Sequence, residues 1–208
     1  MAQQSRSNPF GMDEDCRNCP ALADCRTAIA HGYGDVAADF LVVGERPGPR
    51  ADVTGVPFAG EDEPSPLQRV LGRLGLCALT SDPARPDLAN VYLTNLTRCR
   101  HPDREPTAEE IEACEPYLDA EVRMINPEIL IPVGQRALER ITSEYTTLDP
   151  DDLDIADRHT ETIRGRGFEL VPMRDPRGAS DDAIDEWVEA FASLMASDYR
   201  QTKGRRRR

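Results

Sequence analysis

Residues 44–60, GERPGPRADVTGVPFAG, decide how this chain folds. They follow the apolar run FLVV at residues 40–43, which predicts a buried strand ending in a loop rich in glycine and proline. In an open α/β sheet, ligands bind beyond the carboxyl ends of the strands. We therefore expect a binding loop here, with Glu45 and Phe58 available for chemistry and contact. A purely structural turn is the alternative.

The rest of the chain repeats this order of strand, loop and helix. Apolar runs predict further strands at residues 89–94, 128–133 and 168–173. Apolar residues at helical spacing predict helices at residues 64–76, 107–122, 135–141 and 181–195. The alternation predicts an α/β fold of three layers, α/β/α, with a central four-stranded parallel sheet. Polar and glycine-rich loops follow the strands, so the site should lie at that edge of the sheet.

The length of the chain favours one domain with appendages. A chain of 208 residues can bury one sizeable core. We expect a single domain over residues 1–198, with a solvated acidic insertion at about 144–162. We expect residues 199–208 to form a basic, disordered tail.

The composition is acidic and almost free of lysine. The formal net charge is -13, and Lys203 is the only lysine among the 25 basic residues, which favours a halophilic source. An acidic total ordinarily argues against nucleic acid as a partner. A halophile's acidity is an adaptation to its solvent, however, so the net charge leaves the partner open.

No apolar run approaches the roughly 20 residues needed to span a bilayer, and the start of the chain lacks the pattern of a signal peptide. We expect a cytoplasmic protein without a membrane partner.

Four cysteines form a candidate metal site. Cys16 and Cys19 are a CxxC pair, Cys99 follows the second strand, and Cys114 lies on the next predicted helix. In a cytoplasmic chain, CxxC favours a metal or redox site over a disulfide. A thioredoxin-like motif would lie between a strand and a helix, whereas this pair precedes the first strand. Four thiolates can bind zinc tetrahedrally or hold a four-iron cluster, and the ligand types do not decide between them.

Six motifs occur in a fixed order between Cys16 and about Leu194: CRNCPAL, VVGERPG, TGVPFAG, TNLTRCR, EEIEACEPYL and IPVGQRAL. On these motifs the chain resembles the family 4 uracil-DNA glycosylases, the iron–sulfur branch of that superfamily. Together with the acidic, lysine-poor composition, this favours a haloarchaeal source. The resemblance implies a DNA-repair enzyme that hydrolyses the N-glycosidic bond of uracil or a related deaminated base. Its partner would be DNA with a flipped or single-stranded base. We expect it to act as a monomer.

The resemblance also implies roles for individual residues. Phe58 would stack on uracil, and Asn95 would read the base edge by bidentate hydrogen bonds. Glu45 would hold or activate water for attack on the sugar C1′, and the loop backbone starting at Gly44 would support the departing base. The four cysteines would hold a structural 4Fe-4S cluster, with zinc as the alternative.

Two motifs depart from the family pattern. Arg46 replaces the alanine of GEAPG and would lie beside the base, among the substrate-binding residues. LVPMRDPRG stands in place of LxPxxHPS, so Asp175 occupies the catalytic position of the family histidine and Arg177 that of its serine. The histidine is expected to stabilise negative charge on uracil O2, which a carboxylate would oppose unless it is protonated. Either Arg46 or Arg174 supplies the missing charge, or the protein binds DNA without cutting it.

The remaining histidines and cysteines suggest no replacement for that histidine. His101 is expected at the surface or in a structural role, and His31 and His159 are expected to be solvated. Cys25 and Cys77 are expected to pack as small apolar residues, although Cys25 is near enough in sequence to compete as a metal ligand.

Overall fold

The computed structural model describes residues 6–200. Within this range the strands are β1 (Arg6–Ser7), β2 (Tyr33–Gly34), β3 (Phe40–Gly44), β4 (Cys77–Ala78), β5 (Asp87–Leu88), β6 (Val91–Asn95), β7 (Ile129–Pro132), β8 (Ile163–Arg164) and β9 (Glu169–Leu170). The α-helices are α1 (Pro20–Ala23), α2 (Pro49–Thr54), α3 (Pro66–Arg73), α4 (Ala108–Ile125), α5 (Gln135–Tyr145), α6 (Ile155–Arg158) and α7 (Asp181–Ala196).

Four strands form the parallel centre of the main sheet. The strand order is β1-β2-β6-β3-β7-β9-β8, and the strands from β6 to β9 in that order pair in parallel. The predicted four-stranded parallel sheet is therefore confirmed. Three further strands of this sheet were not predicted: β1 and β2 are antiparallel at one edge, and β8 is antiparallel at the other. Each is two residues long, too short to show a period in the sequence.

The central strand β3 contributes to a core on each face of the sheet. Phe40 and Val42 pack on the face covered by α3 and α7, where Trp187 is fully buried. Leu41 and Val43 pack on the face covered by α4 and α5. Successive side chains of a strand point to opposite faces, so one continuous apolar run supplies both cores. This arrangement gives the three predicted layers.

Helix starts bring the functional loops to one edge of the sheet. α4 begins with the predicted capping box: Glu110 N donates to Thr107 Oγ1 (3.3 Å), and Thr107 N donates to Glu110 Oε2 (2.9 Å). Cys114 lies one turn further along this helix. At the start of α5, Gly134 has a φ of +87° and donates its N–H to the carbonyl of Met173 (2.9 Å). The loops after β3, β6, β7 and β9 therefore lie side by side.

The acidic insertion is less solvated than the sequence predicts. It forms a 3₁₀ turn at Pro150–Asp152 and the short helix α6, and Leu153 and His159 are buried. His159 Nδ1 accepts the backbone N–H of Arg174 (3.0 Å), and its Nε2 lies 2.8 Å from the carbonyl of Ala183. The predicted solvation of this histidine is wrong, because its partners come from segments distant in sequence.

Two other single residues also differ from expectation. His31 is only 2% exposed, with its Nε2 2.9 Å from the carbonyl of Asp13. Cys25 is exposed and lies with Sγ 3.1 Å from the carbonyl of Ala21, whereas Cys77 is buried as predicted. The predictions for His31 and Cys25 are wrong, since burial of a single residue depends on contacts that the local sequence does not contain.

The described chain ends against the base of the central strand. Tyr199 donates its hydroxyl to Asp39 Oδ2 (2.9 Å), and Arg200 donates to the same oxygen through Nε (3.1 Å). These two residues of the predicted tail thus make defined contacts. The rest of that tail, residues 201–208, lies outside the described residues. Within residues 6–200, no helix has the length and apolar character needed to cross a membrane.

Candidate active site

Gly44, Phe58 and Asn95 meet at the carboxyl ends of β3 and β6. Gly44 pairs with Asn95 in the parallel register of these strands. A Cβ on Gly44 would lie 2.5 Å from Phe58 Cζ and 2.6 Å from Asn95 Oδ1, closer than real Cβ contacts allow. Only glycine permits this approach. The structure therefore brings together three residues that the sequence places in one pocket.

The side-chain amide of Asn95 is buried, and its nitrogen lacks a hydrogen-bond acceptor in the described part of the chain. The residue is 1% exposed, and its Nδ2 has no hydrogen-bond partner among the described residues. A buried donor without a partner costs about 1–3 kcal/mol, so such a group is a candidate for binding a ligand. The backbone around it is fixed, because Leu96 N donates to the carbonyl of Gly44 (2.8 Å) and Thr97 N to that of Glu45 (3.2 Å).

Phe58 is held in an unusual backbone conformation by the start of α3. Its φ is +55°, a region that bulky residues rarely adopt and that concentrates at functional sites. Its carbonyl accepts hydrogen bonds from Ser65 Oγ (2.8 Å) and from Nε2 of the buried Gln68 (3.0 Å). The same Ser65 and Gln68 form the capping box of α3. The helix start therefore fixes the aromatic ring beside Gly44.

Glu45, the residue after Gly44, is a half-buried carboxylate with an altered pKa. Its Oε1 accepts a hydrogen bond from Arg136 Nη1 (2.7 Å). Burial raises its pKa above the ordinary value of a glutamate, against the lowering effect of Arg136, and the neighbouring Glu105 raises it further. A carboxyl group of this kind beside a pocket suits general acid–base chemistry. Glu105 and Arg136 were missed by the sequence analysis, because Glu105 belongs to no motif and Arg136, although it lies in IPVGQRAL, approaches Glu45 only in the folded chain.

The guanidinium of Arg46 is occupied by the loop that precedes α4. Its Nη1 donates to the carbonyls of His101 (3.1 Å) and Arg104 (3.2 Å), and its Nη2 pairs with Glu105. The bulky residue in place of the family alanine therefore braces the loop after β6. The carboxylate of Glu105 offsets the positive charge of Arg46.

Asp175 and Arg177 form a closely bonded pair in the loop after β9. Arg177 Nε donates to both carboxylate oxygens (3.1 and 3.0 Å), and Nη2 donates to Oδ2 (2.5 Å). The backbone N–H of Arg177 donates to Oδ1 (2.9 Å). Burial favours the protonated form of Asp175, but the hydrogen bonds from Arg177 outweigh it and hold the pKa below its ordinary value. Asp175 is therefore a carboxylate at neutral pH.

The four cysteines of the predicted metal site are neighbours. Cys99 and Cys114 are buried, while Cys16 and Cys19 are partly exposed. Burial, followed by the nearby charge of Cys114, raises the pKa of Cys19 to about 11. Burial also raises the pKa of Cys99 to about 11, although Arg26 donates to its Sγ (3.4 Å). Such thiols stay protonated at neutral pH unless a cation is bound, and each is close enough to the others for its charge to affect their pKa values. Both properties suit the binding of a metal group. In the described part of the chain, however, no three His, Cys, Asp or Glu side chains have the spacing of a bound metal ion.

A buried ion pair connects the pocket with the cysteines. Arg98 and Glu121 are each 1% exposed, and Arg98 Nη2 lies 2.8 Å from Glu121 Oε2. Arg98 also donates to the backbone carbonyl of Asn95, three residues earlier, and precedes Cys99 directly. Glu121 Oε2 further accepts the hydroxyl of Thr94 (2.6 Å). The sequence analysis missed this pair, although an arginine inside the motif TNLTRCR was visible.

Comparison with known proteins identifies the superfamily of this fold. The model of the Uracil DNA glycosylase superfamily matches residues 31–194, which include the pocket residues, the α4 cysteine and the loop after β9. The chain belongs to this superfamily. The match covers the whole parallel sheet and the helices on both its faces.

The relatives agree with the resemblance to family 4. The chain is 34% identical to a type-4 uracil-DNA glycosylase of Sulfurisphaera tokodaii, over 62% of this chain and 54% of the relative. It is 35% identical to a type-4 enzyme of Archaeoglobus fulgidus, over 64% of this chain and 63% of the relative. A type-5 uracil-DNA glycosylase of Pyrobaculum aerophilum is 26% identical over 87% of this chain and 86% of the relative. The matches to the two type-4 relatives thus span less than two thirds of their lengths.

Proposed function

We propose that the protein is a DNA-repair glycosylase that removes uracil, or a related deaminated base, from DNA. The observation that carries this proposal is the contact of Gly44 with both Phe58 and the unsaturated amide of Asn95. An aromatic face and a buried amide donor are what recognition of a flipped pyrimidine requires. Membership of the superfamily and the names of the relatives support the same activity.

The proposed reaction uses these groups in turn. The base enters beside Gly44, stacks on Phe58 and binds the amide of Asn95 through its polar edge. The oxygen of a water molecule bonds to C1′ as the bond from C1′ to the base breaks, and the electron pair of that bond leaves with the base. Glu45 accepts the proton of the water, which suits its raised pKa.

A test of this activity uses uracil-containing single strands and duplexes at high salt. After incubation, alkali cleaves any abasic site, and the fragments are separated by length. We expect cleavage at the uracil position only. Parallel substrates with hypoxanthine and xanthine define the range of bases. Absence of cleavage on all of them, with DNA binding retained, would exclude the glycosylase.

A second function is favoured by one observation, the ionised state of Asp175. A carboxylate near the departing base opposes its negative charge, so the protein could recognise damaged DNA without cutting it. The two functions differ in the test above, because a recognition protein retards uracil-containing DNA in a gel and produces no abasic site. The double variant Asp175→His/Arg177→Ser is a companion: activity gained only in that variant would favour the recognition function for the natural chain.

We propose that Cys16, Cys19, Cys99 and Cys114 hold a 4Fe-4S cluster with a structural role, with zinc as the alternative. Bound there, the group would tie the N-terminal segment to the loop after β6 and to α4. The fit is supported by the burial that raises the pKa values of Cys19, Cys99 and Cys114, and by the resemblance to the iron–sulfur family.

Serine substitution tests the cluster. Cys99 and Cys77 are both 7% exposed, and burial raises the pKa of each to about 11, so they form a matched pair. We expect anaerobically purified protein to be brown and to contain iron. Cys99→Ser should lose the colour and the iron, whereas Cys77→Ser should keep both. A colourless preparation that contains zinc would contradict the cluster.

We also propose the wider organisation of the protein. It comprises one domain over residues 1–198 with an acidic insertion at about 144–162, followed by a basic tail at 199–208. It acts on DNA as a monomer, in the cytoplasm of a halophilic, haloarchaeal cell. Light scattering at molar salt, with and without DNA, measures the molar mass and therefore shows whether the protein is a monomer.

A further inference from the structure

The departing base would add negative charge to a site that already contains several carboxylates. Breaking the bond between sugar and base leaves negative charge on the base, and groups that stabilise developing charge often contribute the largest single share of catalysis. Glu45, Glu105 and Asp175 all lie at this edge of the sheet. A cation with a free donor is needed to offset them.

Three of the nearby arginines are each held by other groups, although Arg174 Nε is buried without a partner in the described part of the chain. Arg46 bonds two carbonyls and Glu105, as described above. Arg136 donates through Nη1 to Glu45 (2.7 Å) and through Nη2 to the carbonyl of Pro106 (2.9 Å). Arg174 is held against α6, where its Nη2 donates to the carbonyl of Ala156 (3.0 Å).

Arg177 differs from these arginines in its exposure and in the carboxylate that orients it. Asp175 takes its Nε and Nη2, which orients the guanidinium, and Nη1 has no hydrogen-bond partner within residues 6–200. The side chain is 67% exposed and therefore open to a ligand. Its loop is fixed, because Gly178 N and Ala179 N both donate to the carbonyl of Asp175 (3.0 Å each).

The sheet brings the loop of Arg177 to the edge where Gly44 lies, because β9 pairs with β7 and β7 pairs with β3. The hydrogen bonds from Arg177 to Asp175 chiefly raise the pKa of Arg177, and the charges of Glu105 and Glu45 raise it further. Glu45 directly follows Gly44, which contacts both Phe58 and Asn95. Arg177 is therefore within electrostatic reach of the group beside which the base would bind.

We propose that Arg177, oriented by Asp175, is the cation that stabilises the departing base anion. Arg177 would be the catalytic residue, since Nη1 donates to the base, and Asp175 a positioning residue that acts through it. The inference rests on the proposed glycosylase function and deepens it. It also gives the carboxylate of Asp175 a role consistent with its ionised state.

The test compares Arg177→Gln with Arg158→Gln in single-turnover assays of uracil release. Arg158 is a matched control, because it pairs with Glu161 at 2.8 Å in an exposed part of the acidic insertion. We expect R177Q to lower the rate about 10²- to 10³-fold, as loss of one donor to a developing anion does. The dissociation constant for the same DNA should not change, and R158Q should behave as wild type. DNA containing 5-fluorouracil, whose base leaves as a more stable anion, should show a smaller defect with R177Q.

Asp175→Asn tests the positioning role. D175N should lower the rate less than R177Q, and the double variant should be no slower than R177Q alone, because both changes act on one guanidinium. A merely structural role would give additive losses and a lower melting temperature. Additive losses would therefore overturn this part of the proposal.

Other outcomes overturn the main proposal. If R177Q weakens DNA binding, reduces the salt slope of binding by about 1 and leaves the rate unchanged, the arginine contacts a phosphate instead. If R177Q equals R158Q in an active protein, the inference fails while the glycosylase function stands. If the wild type releases no base, both fail.

Discussion

Gly44 is the residue on which the proposed pocket depends most. It ends β3, and the space above its Cα is shared by the ring of Phe58 and the amide of Asn95. A side chain at this position would collide with that ring and with the amide oxygen. The conformation of Gly44 is ordinary, so its requirement is for space and not for backbone freedom.

Gly44→Ala should therefore abolish base recognition and destabilise the fold. Overpacking of this kind costs about 1–3 kcal/mol of unfolding free energy. Gly48→Ala, in the same loop, is the matched control, because nothing lies within 4 Å of a Cβ added there. Urea unfolding and the uracil assay measure the two effects. Equal behaviour of the two alanine variants would show that the three residues do not form the pocket.

At this scale the motifs in the sequence named the candidate site residues but not the groups that contact them. Glu45, Phe58 and Asn95 could be named because each belongs to a short motif at a strand end. Arg136 could not, since it lies 91 residues from Glu45 and contacts it only because β3 and β7 are adjacent. The expected charge donors, Arg46 and Arg174, instead bond backbone carbonyls.

Among the elements, the loop after β6 and the helix α4 are joined by a buried ion pair. The buried pair of Arg98 and Glu121 links the loop after β6 to the middle of α4, the helix that carries Cys114. A paired buried charge is costly to separate, because removal of one partner leaves the other without compensation. The pair therefore fixes the loop on which Asn95 depends.

Glu121→Leu should lower the free energy of unfolding by about 3–5 kcal/mol. Arg73→Ala is the comparison variant, because it breaks an exposed ion pair between α3 and α7. The side chains of Arg73 and Asp185 in that pair are 43% and 58% exposed. That change should cost about 1 kcal/mol or less. Denaturant unfolding of both variants checks the difference. A Glu121→Leu variant as stable as Arg73→Ala would mean that the loop is held by other contacts.

The longer elements were predictable, and the short ones were not. α4 is predicted by its capping box and apolar face, and α7 by a period of apolar residues that includes Trp187. β8 has two residues and no such signal. The burial of His159 could not be predicted either, because it depends on hydrogen bonds to Arg174 and Ala183.

The molecule as a whole carries a large excess of negative charge. Its 38 acidic residues exceed its 25 basic ones, which gives the net charge of -13. Repulsion among like charges destabilises a compact state and is screened by salt. DNA is itself an anion, so binding at low salt would also be opposed at long range.

The melting temperature should therefore rise with potassium chloride between about 0.1 M and 1 M, as the Debye length falls from about 10 Å to about 3 Å. Thermal unfolding followed by circular dichroism measures this change. A melting temperature that falls over the same range would contradict the proposed adaptation to salt.

The central claim is that the pocket at Gly44, Phe58 and Asn95 releases uracil. The most direct measurement is the amount of free uracil set free per uracil-containing strand in a single turnover at molar salt, for the wild type and for Asn95→Ala. We predict stoichiometric release by the wild type and release about 5- to 150-fold slower by the variant, because a bidentate contact to a base is worth about 1–3 kcal/mol. The variant should be no less stable, since Asn95 Nδ2 has no partner within the described chain to lose. No free uracil from the wild type, or equal rates from both proteins, would contradict the account.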